Sequence, residues 1–424
     1  MEDHPLRYEL AGEMHARPFM ALGVPCSAAF LCIKRPENAA SRDRAQDLAH
    51  LISLLDRHGA AHPKPGATHY FGQIGRHWLK WESHTEVVTY TAFYDGLSER
   101  AFDPADFEVF PADWLAEAPG ERMTSALLRI DQKGEDAEIA RQLGEWFVPE
   151  SLAVSRVLDD AAVIAGDFRI DPAGHLRFAV FVEDAVGSRR VGRIVQRICE
   201  IETYKTLSLL GFARARALSP ALTGLADGLT ALVEEMGEGA KPADGTLDRL
   251  LGISGELEQL SARASFRFSA TQAYETLVHE RIRVLREARF MGRQSFSEFM
   301  MRRFDPAMRT VRSTEARLAT MGSRAARAAD LLRTRVDVER SAQNQALLAS
   351  MDRRADLQLR LQHTVEGLSV VAVSYYAVNL VSYALYPLVK ATLDLDKGML
   401  TALITLPVVG LVWLAIRRIR KGFH

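Results

Sequence analysis

Two uncharged runs near the end of this 424-residue chain limit what it can fold into more than any other feature. Residues 368–389 and 399–416 carry no Asp, Glu, Lys, Arg or His, and nine residues separate them. At 1.5 Å per helical residue the first run reaches ~33 Å and the second ~27 Å, against a hydrocarbon core of roughly 30 Å. Two such runs joined by a short loop read as a transmembrane hairpin; a pair of buried core helices is the alternative. The cluster Arg417, Arg418, Arg420 and Lys421 follows the second run, and Arg353, Arg354 and Arg360 precede the first. By the positive-inside rule both ends of the hairpin face the cytoplasm, and the connecting loop faces the far side.

The rest of the chain is long enough for a soluble part with its own core. The formal net charge is −1, which does not suit a nucleic-acid binder. The three cysteines, Cys26, Cys32 and Cys199, have no CxxC spacing and are odd in number, as expected of reduced thiols in the cytosol. The first residues lack a basic region followed by an apolar one, so no signal peptide is expected.

Residues 1–185 mix strand and helix signals. Apolar, aromatic and β-branched runs predict strands at 25–33, 68–74, 77–82, 86–94, 123–130, 152–158, 162–170 and 175–183. Helical spacing predicts helices at 42–56 and 135–144. The run Asp171, Pro172, Ala173 and Gly174 is a turn signal, with proline presetting φ and glycine accepting positive φ. Strands come in runs, which predicts an α+β domain with a mostly antiparallel sheet. Residues 186–304 are an amphipathic helical region, with one helix expected over 217–236.

Asp305 and Pro306 start a helix, Asp as N-cap and Pro at the first helical position. No further proline occurs until Pro387. One helix is therefore predicted through a stalk, 305–364, into a first membrane segment, 365–389. The loop 390–398, a second segment 399–416 and a basic tail 417–424 complete the chain. Val311, Leu318, Met321, Ala325, Ala328, Leu332 and Val336 form a coiled-coil-like stripe. A helix this long needs other helices, copies of itself, or both, to cover that stripe. No internal repeat is evident.

Candidate chemistry is sparse. His50, His58, His62, His69, His77 and His84 fall within 35 residues. They lack the compact ligand spacing of a metal site, and surface or strand-end positions suit them better. Glu13, His15, Arg17 and Pro18 place a carboxylate, an imidazole and a guanidinium together, for acid–base work or for tying down an N-terminal arm. No P-loop, GxGxxG, HExxH or GxSxG motif is present. In the first membrane run Tyr375, Asn379, Ser382 and Tyr386 recur at steps of 4, 3 and 4. They form a polar stripe for lining a pore or for hydrogen bonding between helices.

Three segments carry a family resemblance. They are 4–7 (His-Pro-Leu-Arg) with 13–18 (Glu-Met-His-Ala-Arg-Pro), 192–204 (Gly-Arg-Ile-Val-Gln-Arg-Ile-Cys-Glu-Ile-Glu-Thr-Tyr), and 364–376 (Thr-Val-Glu-Gly-Leu-Ser-Val-Val-Ala-Val-Ser-Tyr-Tyr). By these segments the chain resembles a bacterial family of uncharacterised, membrane-anchored proteins, domain of unknown function 3422. The resemblance implies no known activity, substrate or cofactor. In order of elements the chain also resembles the CorA-type divalent-cation channels. Their Gly-Met-Asn signature is missing, and Leu385, Tyr386, Pro387 and Leu388 stand at its place.

The expectation is therefore a bacterial inner-membrane protein with both termini and a large domain in the cytoplasm. It would be homo-oligomeric, without enzymatic chemistry or cofactor, and in contact with the lipid bilayer. The alternative is a distant CorA-like channel with a divalent cation as its partner.

Overall fold

The computed structural model describes residues 3–8, 11, 19–238, 243–393 and 396–422, with side chains at 238, 243–244, 389–393 and 420–422 outside that description. The chain divides into two units. The first comprises residues 1–240 with 248–328, and the second 241–247 with 329–424.

The first unit is built on a nine-stranded sheet. Its strands are β1 (Cys26–Lys34), β2 (His69–Ile74), β3 (His77–Ser83), β4 (Val87–Asp95), β5 (Glu121–Gln132), β6 (Ala153–Val157), β7 (Ala162–Gly166), β8 (Leu176–Val182) and β9 (Ala288–Arg289). The spatial order is β2-β3-β4-β1-β5-β8-β7-β6-β9. Only the β5–β8 pairing is parallel; the other pairings are antiparallel, as the strand runs predict. The predicted turn is present: Gly174 has φ +90° and its N–H donates to the Asp171 carbonyl at 2.9 Å.

The order contains a repeat that the sequence hides. In the first half β1 and a helix, α1 (Arg44–Arg57), precede a three-stranded meander whose last strand, β4, returns beside β1. The second half repeats this with β5, a short helix α2 (Ala112–Ala116) before it, α3 (Asp136–Trp146) after it, and the meander β6 to β8. The halves meet at the antiparallel β1–β5 pair. They differ in the returning strand, antiparallel in the first half and parallel in the second.

All nine residues of β1 are buried, so the sheet is covered on both faces. One face packs Ala29, Leu31, Ile33, Trp81 and Tyr90 against Leu51, Leu54 and Leu55 of α1 and Trp114 of α2. Asp43 caps α1 by accepting from the Ala45 N–H at 2.9 Å. His50 is part of this core rather than a surface residue. Its ring stacks on Trp114 at 3.9 Å, and Nε2 lies 3.0 Å from the Trp114 carbonyl. A carbonyl only accepts, so Nε2 carries the proton and Nδ1 accepts from the Tyr90 hydroxyl at 3.1 Å.

The other face is covered by long helices. α4 (Ser188–Glu238) and α5 (Ala243–Arg283) are longer than expected, and α4 continues through Pro220 as one helix. They run antiparallel: Tyr204 stacks on Tyr274, and a Cβ on Gly211 would lie 2.1 Å from Thr271 Oγ1. After the short α6 (Phe296–Arg303) comes α7 (Asp305–Leu393), a single 89-residue helix starting where the Asp-Pro signal predicts. Its first part lies against α4 and α5, with Arg312 bound to Glu275 at 2.6 Å and Val311, Leu318, Met321 and Ala325 buried.

In the second unit α7 is followed by α8 (Lys397–Gly422). Ser374, Val378 and Ser382 on α7 and Leu400 and Val408 on α8 are its buried hairpin residues.

The fit of α4 on the sheet domain depends on Gly192. A Cβ there would lie 1.8 Å from the Met20 carbonyl oxygen, which is backbone and has little room to move. Gly192→Ala is expected to destabilise the fold by about 1–3 kcal/mol or more, as overpacking does, read as a lowered midpoint in chemical denaturation.

Candidate functional site

The segment 192–204 lies in the first turns of α4. Gly192, Val195, Gln196, Cys199, Glu200 and Thr203 share one face of α4 and turn it toward β3 and β4. There they meet Lys80, Glu82, Thr89 and Thr91, the residues of alternating strand position whose neighbours fill the apolar core on the opposite face. Between helix and sheet lies a cavity of about 30 Å³, room for about two waters.

The charges around it form a chain. Lys80 Nζ lies 3.0 Å from Glu82, their side chains being 10% and 11% exposed, and donates to Gln196 Oε1 at 2.9 Å. Gln196 Nε2 donates to Glu200 at 2.8 Å, and Glu200 binds Arg281 of α5. Two residues on, Glu202 accepts from Thr124 of β5 at 3.1 Å, Thr206 at 2.8 Å and Lys205 at 2.6 Å. Glu86, before β4, accepts from Arg267 and from the Tyr274 hydroxyl at 2.9 Å. Glu86, Glu200 and Glu202 thus each have a cation and at least one neutral donor, and Glu82 has the Lys80 cation, the condition for holding charge out of water. Arg42 is satisfied in the same way by Asp47 at 2.7 Å and the carbonyls of Ala39, Thr85, His84 and Val87.

The thiols here are held in their protonated form. Burial, with Asp95 nearby, pushes Cys26 up to about 12, and burial pushes Cys32 and Cys199 up as well. A thiol held protonated is a poor nucleophile and a poor metal ligand.

The six clustered histidines separate in the fold. His50 is in the core, His62 pairs with Asp56 at 2.6 Å, His77 packs edge-on to Tyr94, and His84 lies 3.3 Å from Thr89 Oγ1. Among the described residues no three His, Cys, Asp or Glu side chains converge as a metal site would require.

The predicted membrane stripe is divided between environments. Ser382 is buried in the hairpin seam, Tyr375 is 66% exposed, and Asn379 donates back to the Tyr375 carbonyl at 3.1 Å. Tyr386 is half-buried. Arg417 and Arg418 are exposed on α8. Arg420 and Lys421 lie in α8 with their side chains outside the description, and Glu13, His15, Arg17 and Pro18 lie outside the described residues.

The class so defined is a two-unit protein: a mixed nine-stranded sheet domain covered by long helices, and a pair of helices long and apolar enough to cross a membrane. A family described as a protein of unknown function (DUF3422) matches residues 2–423, and the chain belongs to it. No curated protein and no solved structure matches the chain, so the CorA-like order of elements finds no support from these comparisons.

Two outcomes follow from the polar layer. Lys80→Met leaves Glu82 buried without its cation and is expected to cost about 3–5 kcal/mol; Lys80→Met with Glu82→Leu is expected to cost less than the single change, read by a double-mutant cycle in urea. The second concerns pH. Burial holds His50, His77 and His175 below their ordinary 6.5, with His77 at about 4. The unfolded chain then takes up protons first, so this stabilisation is complete above 6.5 and is lost as pH falls toward 4. His77→Phe, which keeps the contact with Tyr94, is expected to flatten the loss of stability measured between those pH values.

Proposed function

We propose that the chain is an integral protein of the bacterial inner membrane, held by the α7–α8 hairpin, with its sheet domain and both termini in the cytoplasm. The observation that carries this reading is the exposure of the two uncharged runs. The apolar stretches of α7 and α8 are only 17% and 11% buried. Leu368 and Leu380 on α7 and Leu403 and Leu406 on α8 are each more than 70% exposed. A helix core of a soluble protein hides such residues, and a patch of this size in water drives association. In hydrocarbon the same residues are solvated, and the backbone is satisfied within each helix. The exposed Arg417 and Arg418 favour the cytoplasmic side for that end.

The protein acts as a homo-oligomer without catalytic chemistry of its own. Every residue from Arg340 through Val365 is exposed, including Leu347, Leu348, Met351, Leu357, Leu359 and Leu361. Six large apolar side chains on one uncovered stretch of helix favour pairing with the same stretch of another copy. The buried polar layer supports a non-enzymatic role, since its carboxylates are each paired and its thiols protonated.

The full-length protein is expected to stay in the membrane pellet after alkaline carbonate washing and to migrate as more than one copy in mild detergent. Leu347→Cys is expected to give disulfide-linked pairs under gentle oxidation. Release by carbonate would overturn the anchor, and a monomer giving no linked pairs would overturn the assembly.

A further inference from the structure

The two hairpin helices are not in contact along their whole length. Their buried residues are Ser374, Val378 and Ser382 on α7 and Leu400 and Val408 on α8. Toward the other end, no described side chain from Leu359 to Val373 or from Val409 to Ile419 is buried. The helices leave a cleft of about 830 Å³ there. This is within the range of small-molecule sites, roughly 300–1,000 Å³.

We propose that this cleft holds the phosphate headgroup of an anionic phospholipid, a reading that rests on the membrane placement above. Depth is the first argument. Trp413 lines the cleft at the last turn of the uncharged run, and indole rings favour the headgroup level, where an apolar body and a polar N–H are both accommodated. Charge is the second. The Arg417 guanidinium lies over the Trp413 ring, 5.0 Å from its centroid. Arg417 is exposed, so its N–H groups can reach an anion, and guanidinium binds phosphate through two parallel hydrogen bonds. Gln362 adds an amide donor to the lining. Glu366 is the carboxylate of the lining, and His363 Nδ1 faces it at 3.7 Å.

Shape is the third argument. Gly367 opens one wall: a Cβ there would meet no atom within 4 Å. Below it Val370 and Trp413 give an apolar floor continuous with the exposed run, which suits acyl chains attached to the bound headgroup. A soluble phosphate compound would gain nothing from that floor, whereas a phospholipid uses both parts. Basic pockets between membrane helices on the cytoplasmic side are a general solution to headgroup binding.

The test uses the full-length protein in phosphatidylcholine vesicles containing a minority of phosphatidylglycerol, with bromine on the chains of one lipid or the other. Bromine quenches tryptophan at contact distance. Trp413 is the hairpin's tryptophan; Trp78, Trp81, Trp114 and Trp146 belong to the sheet domain. Brominated phosphatidylglycerol is expected to quench Trp413 about fivefold more, per mole fraction, than brominated phosphatidylcholine, the enrichment that one cation gains at an anionic surface. Arg417→Gln and the space-filling Gly367→Leu should each abolish that excess, and Arg418→Gln should keep it. Equal quenching per mole fraction, or an excess that survives Arg417→Gln, overturns the site and leaves the membrane reading standing. Absence of quenching in protein that floats with the vesicles also overturns it, with another copy filling the cleft. Protein that does not float overturns the membrane reading itself.

Discussion

Burial of both faces of the sheet is the constraint on which the rest of this structure depends. One face is apolar and closes over α1, α2 and α3 without difficulty. The other carries Lys80, Glu82, Thr89, Thr91 and Thr124 on neighbouring strands, and these cannot lie against an apolar helix without a large desolvation cost. The first turns of α4 bring Gln196, Glu200, Glu202 and Thr203 to meet them. Gly192 makes the close approach possible, because any side chain there would run into the Met20 backbone.

The same requirement extends outward. Glu200 needs a cation, and Arg281 at the far end of α5 supplies it; Glu86 is answered by Tyr274 about two turns earlier on that helix and by Arg267 about four turns earlier. Satisfying the sheet's charges therefore fixes the register of α5 on α4. The start of α7 is then set by Arg312 on Glu275. Ion pairs of this kind add little net stability over well-packed apolar residues. Their effect here is on which helix positions meet, a role that an apolar interface performs less strictly.

Much of the fold was legible in the chain itself. The strand runs lie close to the observed strand bounds because they are apolar, β-branched and bounded by turn residues, and the Asp305-Pro306 start of α7 is a local capping signal. The buried stripe from Val311 to Val336 was legible because helical spacing survives tertiary packing. The polar layer was not, since Lys80 and Gln196 are 116 residues apart, Glu86 and Arg267 are 181 apart, and nothing local pairs them. Its one local trace was the 192–204 segment, where polar residues recur on the face of α4 that the apolar pattern assigns to the core. His50 is buried where its sequence pattern suggests a surface position, because a histidine with two buried partners looks no different, in sequence, from an exposed one. The stripe at Tyr375, Asn379, Ser382 and Tyr386 shows the same limit: spacing says which residues share a side of a helix, and not how much of that side a neighbour covers.

Placement of the hairpin across a membrane is the central claim, and site-directed thiol labelling tests it most directly. The three native cysteines are buried with raised pKa values, so a single introduced cysteine reports alone. Asp396→Cys, at the start of α8, and Asp352→Cys, on α7, would be treated in intact cells whose outer barrier is permeabilised, with a maleimide that does not cross the inner membrane. Labelling of Asp396→Cys without lysis, and of Asp352→Cys only after it, is the predicted result. Labelling of both positions only after lysis, or of both without it, would contradict the membrane-spanning hairpin.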